Sequence, residues 1–348
     1  RVSGWNMRNA GLAACVPEEH SETAFITRRA INFLDSMNDT DSWCMHLSYI
    51  KPHWPYLAPD PYHALYDQSH IVPVVRHENE KRDPHPVHEA FMMEDYSQNF
   101  SRAEVRSNVI PTYMGLIHQI DDHIGQVLTH LETRDMLKKT VIIFTSDHGD
   151  YLGDHWLGEK DLFHEASIRV PLIIYDPSAE ADDTRGGVVD DLVEAIDVVP
   201  TLVEVAGGVP PSERIEGRSL LPFLRQKDRN RHVSSRDAVI SEINFSSRGP
   251  RTRLGLDPNE CRAYMIQTLE WKYVLYDHFP PQLFDLKNDP HEFFDLGTDW
   301  EHYKVQKELY DRLFTWLRGL KVRTEVSSDK LSEINPELTE QLGIMIGH

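Results

Sequence analysis

Apolar residues recur at helical spacing in some stretches of the chain and at strand-like density in others. Ser21 to Leu34 reads as a helix, with Ser21 a candidate cap and Ala24, Phe25, Ile31 and Leu34 at roughly helical spacing. The following SWCMHLSYI is strand-like and ends abruptly at Pro52. From Tyr56 to Pro111 the chain is polar and rich in Pro, His and Asp, which predicts irregular surface structure with short helices, of the kind that often frames binding sites. From Thr112 onward Met114, Ile117, Ile120, Ile124, Val127, Leu128 and Leu131 fall on one face of a long helix. TVIIFTSD is then a buried strand ending in Ser146 and Asp147, and RVPLIIYDP is a second. DVVPTLVEVAGGVPP reads as a helix closed by Gly207 and Gly208.

Beyond about Arg236 the texture changes. AVISEINF, CRAYMIQTLE and WKYVLYD are successive strands, and EHYKVQKELYDRLFTWLRGL is an amphipathic helix, so a small antiparallel sheet with a packed helix is expected. The chain therefore divides into a main α/β domain over 1–235, an α+β subdomain over 236–320 and a tail over 321–348. Self-association through that tail would make it a subunit arm. A helix feeding a strand with acids at its carboxyl end is the α/β arrangement that places ligands at strand ends.

With 348 residues, 40% of them hydrophobic, the chain can bury a large core. Its apolar runs are strand-sized, so no membrane-spanning helix and no membrane partner are expected. A net charge of -20 opposes a general attraction to nucleic acid, and an anionic substrate would need a local cationic site. Cys15, Cys44 and Cys261 are too few and scattered for a disulfide framework and fit a reducing, cytoplasmic setting. Arg1 is not an initiator Met, and the first twenty residues hold neither a signal core nor a strand-and-turn opening, so the chain reads as entered midway.

The chemistry concentrates in TSDHGDYLGDHWLGEKDLF. Asp147 and His148 stand side by side after a strand and could converge on one metal if the chain turns sharply at Gly149. An adjacent Asp-His pair is equally compatible with a solvated loop. Lys160 follows in a glycine-broken stretch, where it is either a surface lysine or an ammonium returned beside the metal to hold an anionic oxygen. In SYIKPHWPY, Pro52 and Pro55 restrict the backbone around His53, and a positioned imidazole can protonate a leaving oxygen.

Together these segments resemble one family. TSDHGDYLGDHWLGEKDLFHEASIRVPLIIYDP is similar to the back half of the active-site region of sulfatases and phosphonate monoester hydrolases, members of the alkaline phosphatase superfamily. KPHWPY resembles their histidine segment, IDDHIG the helix before the metal strand, and LFDLKNDPHEFFDL the turn closing the C-terminal sheet. The resemblance implies an alkaline-phosphatase-like α/β/α sandwich with a smaller C-terminal antiparallel sheet and helix. By matching position it implies Asp147 and His148 as metal ligands, and His53 and Lys160 as the catalytic, substrate-binding cations beside the transferred group. The implied reaction is metal-dependent hydrolysis of a small anionic sulfate, phosphonate or phosphate ester through a covalent intermediate.

Many sulfatases place Asn at the position of His148. An imidazole nitrogen favours manganese, zinc or iron over calcium, which leaves calcium open but leans toward phosphonate or phosphate diester chemistry. The closing GIMIGH is similar to the C-terminal arm of the phosphonate monoester hydrolases. The resemblance also implies a nucleophile upstream, a formylglycine made from Cys in a C-x-P-x-R motif, or a Ser or Thr. Cys15-Val16-Pro17 fails that motif, because Glu19 stands in the place of the arginine. Two other readings stay open: a two-metal phosphodiesterase of the same superfamily, which would place a His four residues after an Asp, and a non-catalytic pseudoenzyme or partner-binding fragment. Asp121, Asp122 and Asp147 are followed at that distance by Gly125, Gln126 and Tyr151.

Overall fold

The computed structural model describes residues 7–38, 40–225 and 236–320; the tail over 321–348, with GIMIGH and the expected arm, lies outside the described residues. Helix α1 (Glu22–Asp35) begins where its cap predicts, with the Ser21 hydroxyl accepting the Ala24 N–H at 3.2 Å, an arrangement worth about 1 kcal/mol. Its buried face is Thr23, Ala24, Thr27, Ala30 and Leu34, whereas Phe25, expected in the core, is exposed. Residues 42–50 alternate as a strand should, with Trp43, Met45 and Leu47 against Leu34, Val127 and Leu131. They form no strand, however, because no described segment pairs with them.

The polar stretch after Tyr56 carries three short 3-10 turns and the helices α2 (Pro86–Met92) and α3 (Asp95–Ser101). Helix α4 (Ala103–Thr133) starts earlier than the sequence suggests and runs through Pro111. Its buried stripe is Val105, Val109, Thr112, Leu116, Gln119, His123, Val127 and Leu131, and Ile117 and Leu128 are exposed. The polar Gln119 and His123 can sit inside because the Glu18 carboxylate accepts from both, at 3.0 and 2.6 Å. Burial opposes ionisation of Glu18, but those bonds outweigh it and hold its pKa below the ordinary value.

Strand β1 (Ile142–Thr145) leads into the Asp147 loop and the short helix α5 (Glu165–Ile168), then β2 (Leu172–Tyr175). The two strands pair antiparallel and are not buried as the sequence suggests: Phe144 and Ile173 face each other across the ladder and are both exposed. Helix α6 (Val198–Val205) ends at Gly207, which takes the left-handed conformation expected there. The short helix α7 (Leu221–Leu224) follows.

The C-terminal part is a four-stranded antiparallel sheet in the order β3 (Val239–Asn244), β4 (Arg262–Gln267), β5 (Trp271–Tyr276), β6 (Gln282–Asp285), with the short helix α8 (Gly249–Leu254) after β3. Its strands alternate faces with period two. Ile266, Tyr273 and Leu283 pack on Leu309 and Leu313 of helix α9 (Tyr303–Gly319). Ala263, Met265, Val274 and Tyr276 instead form a floor under Tyr151, Trp156, Leu157, Leu162 and Phe163. The small sheet thus supports the loop that carries the candidate chemistry.

One cation is sealed between sheet and loop. Lys272, fully buried, donates to Glu292 at 2.5 Å, to the Phe163 carbonyl at 2.9 Å and to Glu165 at 3.2 Å. Removing one partner of such a pair leaves a buried charge alone, which costs about 3–5 kcal/mol. Lys272→Met is therefore expected to lower the urea midpoint markedly; an unchanged midpoint would show that the buried pair is not a support of the fold.

Candidate active site

The first half of the site is the segment Lys51 to Tyr56, whose peptide bonds before Pro52 and Pro55 are cis. The Lys51 ammonium donates to the carbonyls of His53 (3.1 Å) and Pro55 (2.8 Å), bracing the segment from within. Burial pushes the Lys51 pKa down, against the opposing charge of Glu22. His53 Nδ1 lies 2.7 Å from the Trp54 carbonyl oxygen, which only accepts, so Nδ1 carries the proton. Its Nε2 lies 3.4 Å from Lys160 Nζ. An ammonium only donates, so the Nε2 lone pair faces the Lys160 donor.

Lys160 reaches His53 because the loop after β1 folds back on itself. The Tyr151 N–H donates to the Glu159 carbonyl at 2.8 Å, so Asp150 and Lys160 become neighbours although ten positions apart. Ser167 Oγ donates to the Lys160 carbonyl at 2.6 Å. Among the described residues no carboxylate forms an ion pair with the Lys160 ammonium.

Asp147 and His148 form the second pair. His148 Nδ1 lies 2.7 Å from the Gly149 carbonyl and donates to it, leaving Nε2 free 3.4 Å from Asp147 Oδ2. A ring fixed by a backbone carbonyl is the usual support of a metal-binding histidine, and two donors at this spacing can share one ion with bonds of about 2.1 Å. The pair fits a divalent metal as two of its ligands. Among the described residues no group of three His, Cys, Asp or Glu side chains could complete the centre.

The chain bends at Asp147, and the φ of Gly149 is not positive. Gly149 is required by proximity, because a Cβ there would lie 2.0 Å from the Ala166 carbonyl oxygen. Gly153, at φ 109°, does take a backbone conformation that favours glycine.

No hydrogen bond or ion pair joins the two pairs directly among the described residues, but two side chains lie between them electrostatically. The Tyr113 hydroxyl is pushed up chiefly by burial, then by the charges of Asp150 and Asp147. Burial likewise raises Asp150 to about 7, against the Leu152 N–H, the Tyr56 hydroxyl and the Lys160 charge, all of which favour its ionised form. Neither Tyr113 nor Asp150 was evident from residue type alone. The signal available was a third acid in the run Asp147-His148-Gly149-Asp150. Cys15 is exposed, in a recess with Glu18, Glu19 and Asp60, and has no contact with His53 or Lys160. Asp122 accepts the Tyr62 hydroxyl at 2.7 Å on the exposed side of α4.

The loop is anchored by a buried histidine cluster. The Tyr151 hydroxyl meets His164 Nδ1 at 2.9 Å, His164 stacks on His155 at 3.9 Å, and His155 donates to Glu80 at 2.7 Å. His88 donates to the His155 carbonyl at 3.0 Å. Burial, then the charges of neighbouring histidines, holds the pKa of His164 well below its ordinary value; burial does the same to His88.

Comparison with known proteins identifies the family and the fold. The family model described as Sulfatase matches residues 2–209, more than half of the chain. The chain belongs to the sulfatase family. A second family model, N-sulphoglucosamine sulphohydrolase, C-terminal, matches residues 153–318 of this sulfatase-family chain. The multifunctional alkaline phosphatase superfamily protein PehA of Trinickia caryophylli is 33% identical over 86% of this chain and 60% of that protein. The choline-sulfatase of Rhizobium meliloti (strain 1021) is 32% identical over 86% of this chain and 57% of that protein. The crystal structure of the phosphonate monoester hydrolase of Agrobacterium radiobacter superposes with a TM-score of 0.79 at 26% identity, over 92% of this chain and 66% of that one. The fold is thus alkaline-phosphatase-like, with the small C-terminal antiparallel sheet and helix that the sequence implies. The chain spans somewhat more than half the length of the curated relatives named here.

Two outcomes follow from this geometry. With two ligands, the 348-residue chain should bind Mn²⁺ or Zn²⁺ in calorimetry no tighter than about 0.1 mM, and His148→Ala should abolish what binding there is; micromolar binding would reveal further ligands. Because His88 and His164 have depressed pKa values in the folded state, their stabilisation is present above the unfolded value near 6.5 and is lost as pH falls below it. The urea midpoint should therefore drop between pH 7.5 and 5.5, and His164→Gln should reduce that drop.

Proposed function

We propose that the whole protein hydrolyses a small anionic sulfate, phosphonate or phosphate ester, with His53 and Lys160 handling the transferred group and Asp147 and His148 contributing to one divalent metal. The observation that supports it most is the 3.4 Å approach of Lys160 Nζ to His53 Nε2, beside an Asp-His pair set for metal ligation. In a chain of net charge -20, this local cation is where an anionic ester would be held.

The protein's own residues divide the work. Lys160 would bind a non-bridging oxygen through charge and hydrogen bonding, and Lys51 and the Trp54 carbonyl would keep the His53 ring aimed. His53, having taken a proton from solvent at Nε2, would give it to the departing oxygen and return to the neutral ring. The metal, manganese, zinc or iron being favoured by His148, would polarise the non-bridging oxygens, and a formylglycine preceding Arg1 would supply the nucleophile.

The phosphonate monoester hydrolase supports the phosphonate reading and the choline-sulfatase the sulfate reading. Unpaired Cys15 and Cys44 at the surface support a reducing compartment such as the cytoplasm.

Lys160→Ala or His53→Ala in the full-length enzyme should lower kcat on aryl esters by about 10²–10⁴; rates within a few-fold of the parent would overturn these roles. Among the described residues no Ser, Thr or Cys side chain hydrogen-bonds to the His53 ring or the Lys160 ammonium. Accordingly the purified 348-residue chain should not turn over 4-nitrophenyl sulfate or a phenylphosphonate ester, and measurable hydrolysis would refute the upstream nucleophile.

A further inference from the structure

Tyr56 lies three residues after His53, and Asp150 lies two residues after His148. The Tyr56 ring is 2% exposed, edge-on to Phe100 at 6.0 Å and tilted against Tyr113 at 6.2 Å, so α3 and α4 hold it in place. Its hydroxyl donates to Asp150 Oδ2 at 3.2 Å. The other carboxylate oxygen, Oδ1, accepts the Leu152 N–H at 3.1 Å and is thereby tied to the loop. The Tyr151 to Glu159 backbone bond then sets this same carboxylate beside Lys160.

We propose that Asp150 and Tyr56 form a positioning bridge that sets the distance and direction between His53 Nε2 and Lys160 Nζ; this rests on the reading of His53 as proton donor to the leaving oxygen. The bonds made by Lys51 stay within the segment 51–56 and stiffen it without fixing it to the loop. The Tyr56 to Asp150 bond crosses from that segment to the loop. One of its ends is three residues from the imidazole, and the other is opposite the ammonium. Loss of the bridge would leave both groups present but let the imidazole drift, and a proton donor displaced by a fraction of an ångström fails first where proton transfer is most needed.

That consequence separates positioning from simple support of the fold. A 4-nitrophenyl ester departs without needing a proton, whereas an unsubstituted phenyl ester of the same acid needs one. In the full-length enzyme Tyr56→Phe, which keeps the buried ring, should slow the phenyl ester about 30-fold or more and the 4-nitrophenyl ester about threefold or less. Equal slowing of both esters by Tyr56→Phe, or none, would overturn the bridge. His53→Ala is the control: if it shows the split and Tyr56→Phe does not, the bridge alone falls. If His53→Ala slows both esters equally, the proton-donor reading falls and takes the bridge with it.

Discussion

A single backbone hydrogen bond, from the Tyr151 N–H to the Glu159 carbonyl, closes the loop after β1 and brings Asp150 and Lys160 together. The bond persists because the Tyr151 side chain is 1% exposed and seated on the floor made by the small sheet. Four non-glycine residues of this loop, Leu152, His155, Trp156 and Glu159, and the more distant Glu292 that backs it, have positive φ. Such conformations each cost free energy, and tight surrounding contacts are what hold them. Here the contacts are the Tyr151–His164–His155–Glu80 chain and the buried Lys272 pairing with Glu292 and Glu165. The C-terminal subdomain is therefore part of the site's support.

Both candidate histidines are prepared in the same way. His53 and His148 each donate Nδ1–H to the carbonyl of the next residue, at 2.7 Å in each case. One short local bond fixes the tautomer and the ring direction together, and leaves Nε2 available. The difference lies in what Nε2 faces: an ammonium at His53 and a carboxylate at His148. In the proposed roles, the charge of the neighbour would divide the same imidazole chemistry between handling protons and ligating metal.

Electrostatics reinforce this division. Burial lowers the pKa of His164 and of His88, so these two rings beneath the loop favour the uncharged form. Lys272 is neutralised by Glu292 and Glu165. Lys160 stands without a carboxylate ion partner among the described residues, in a chain that is strongly acidic as a whole. That ammonium is a local cation to which an anion would be attracted.

Local patterning was enough to read α1 with its Ser21 cap, three of the four strands of the C-terminal sheet (β6 was not among them), α9 and the glycine stop of α6, because each depends on near neighbours in the chain. The motif runs pointed to Asp147, His148, Lys160 and His53, since the residue types needed for metal and anion chemistry are few. Periodicity failed where long-range pairing decides burial. Gln119 and His123 lie inside because Glu18 meets them, and Phe144 and Ile173 lie exposed because only one partner strand flanks each of them. Residues 42–50 have the strand pattern but no described partner, and a ladder needs two strands. Spacing did not show that His53 meets Lys160 across more than a hundred residues, which only the family resemblance implied, and tertiary structure alone decided that Tyr56 reaches Asp150. Contacts between distant segments depend on how the loop closes over the sheet, and sequence spacing carries no record of that closure.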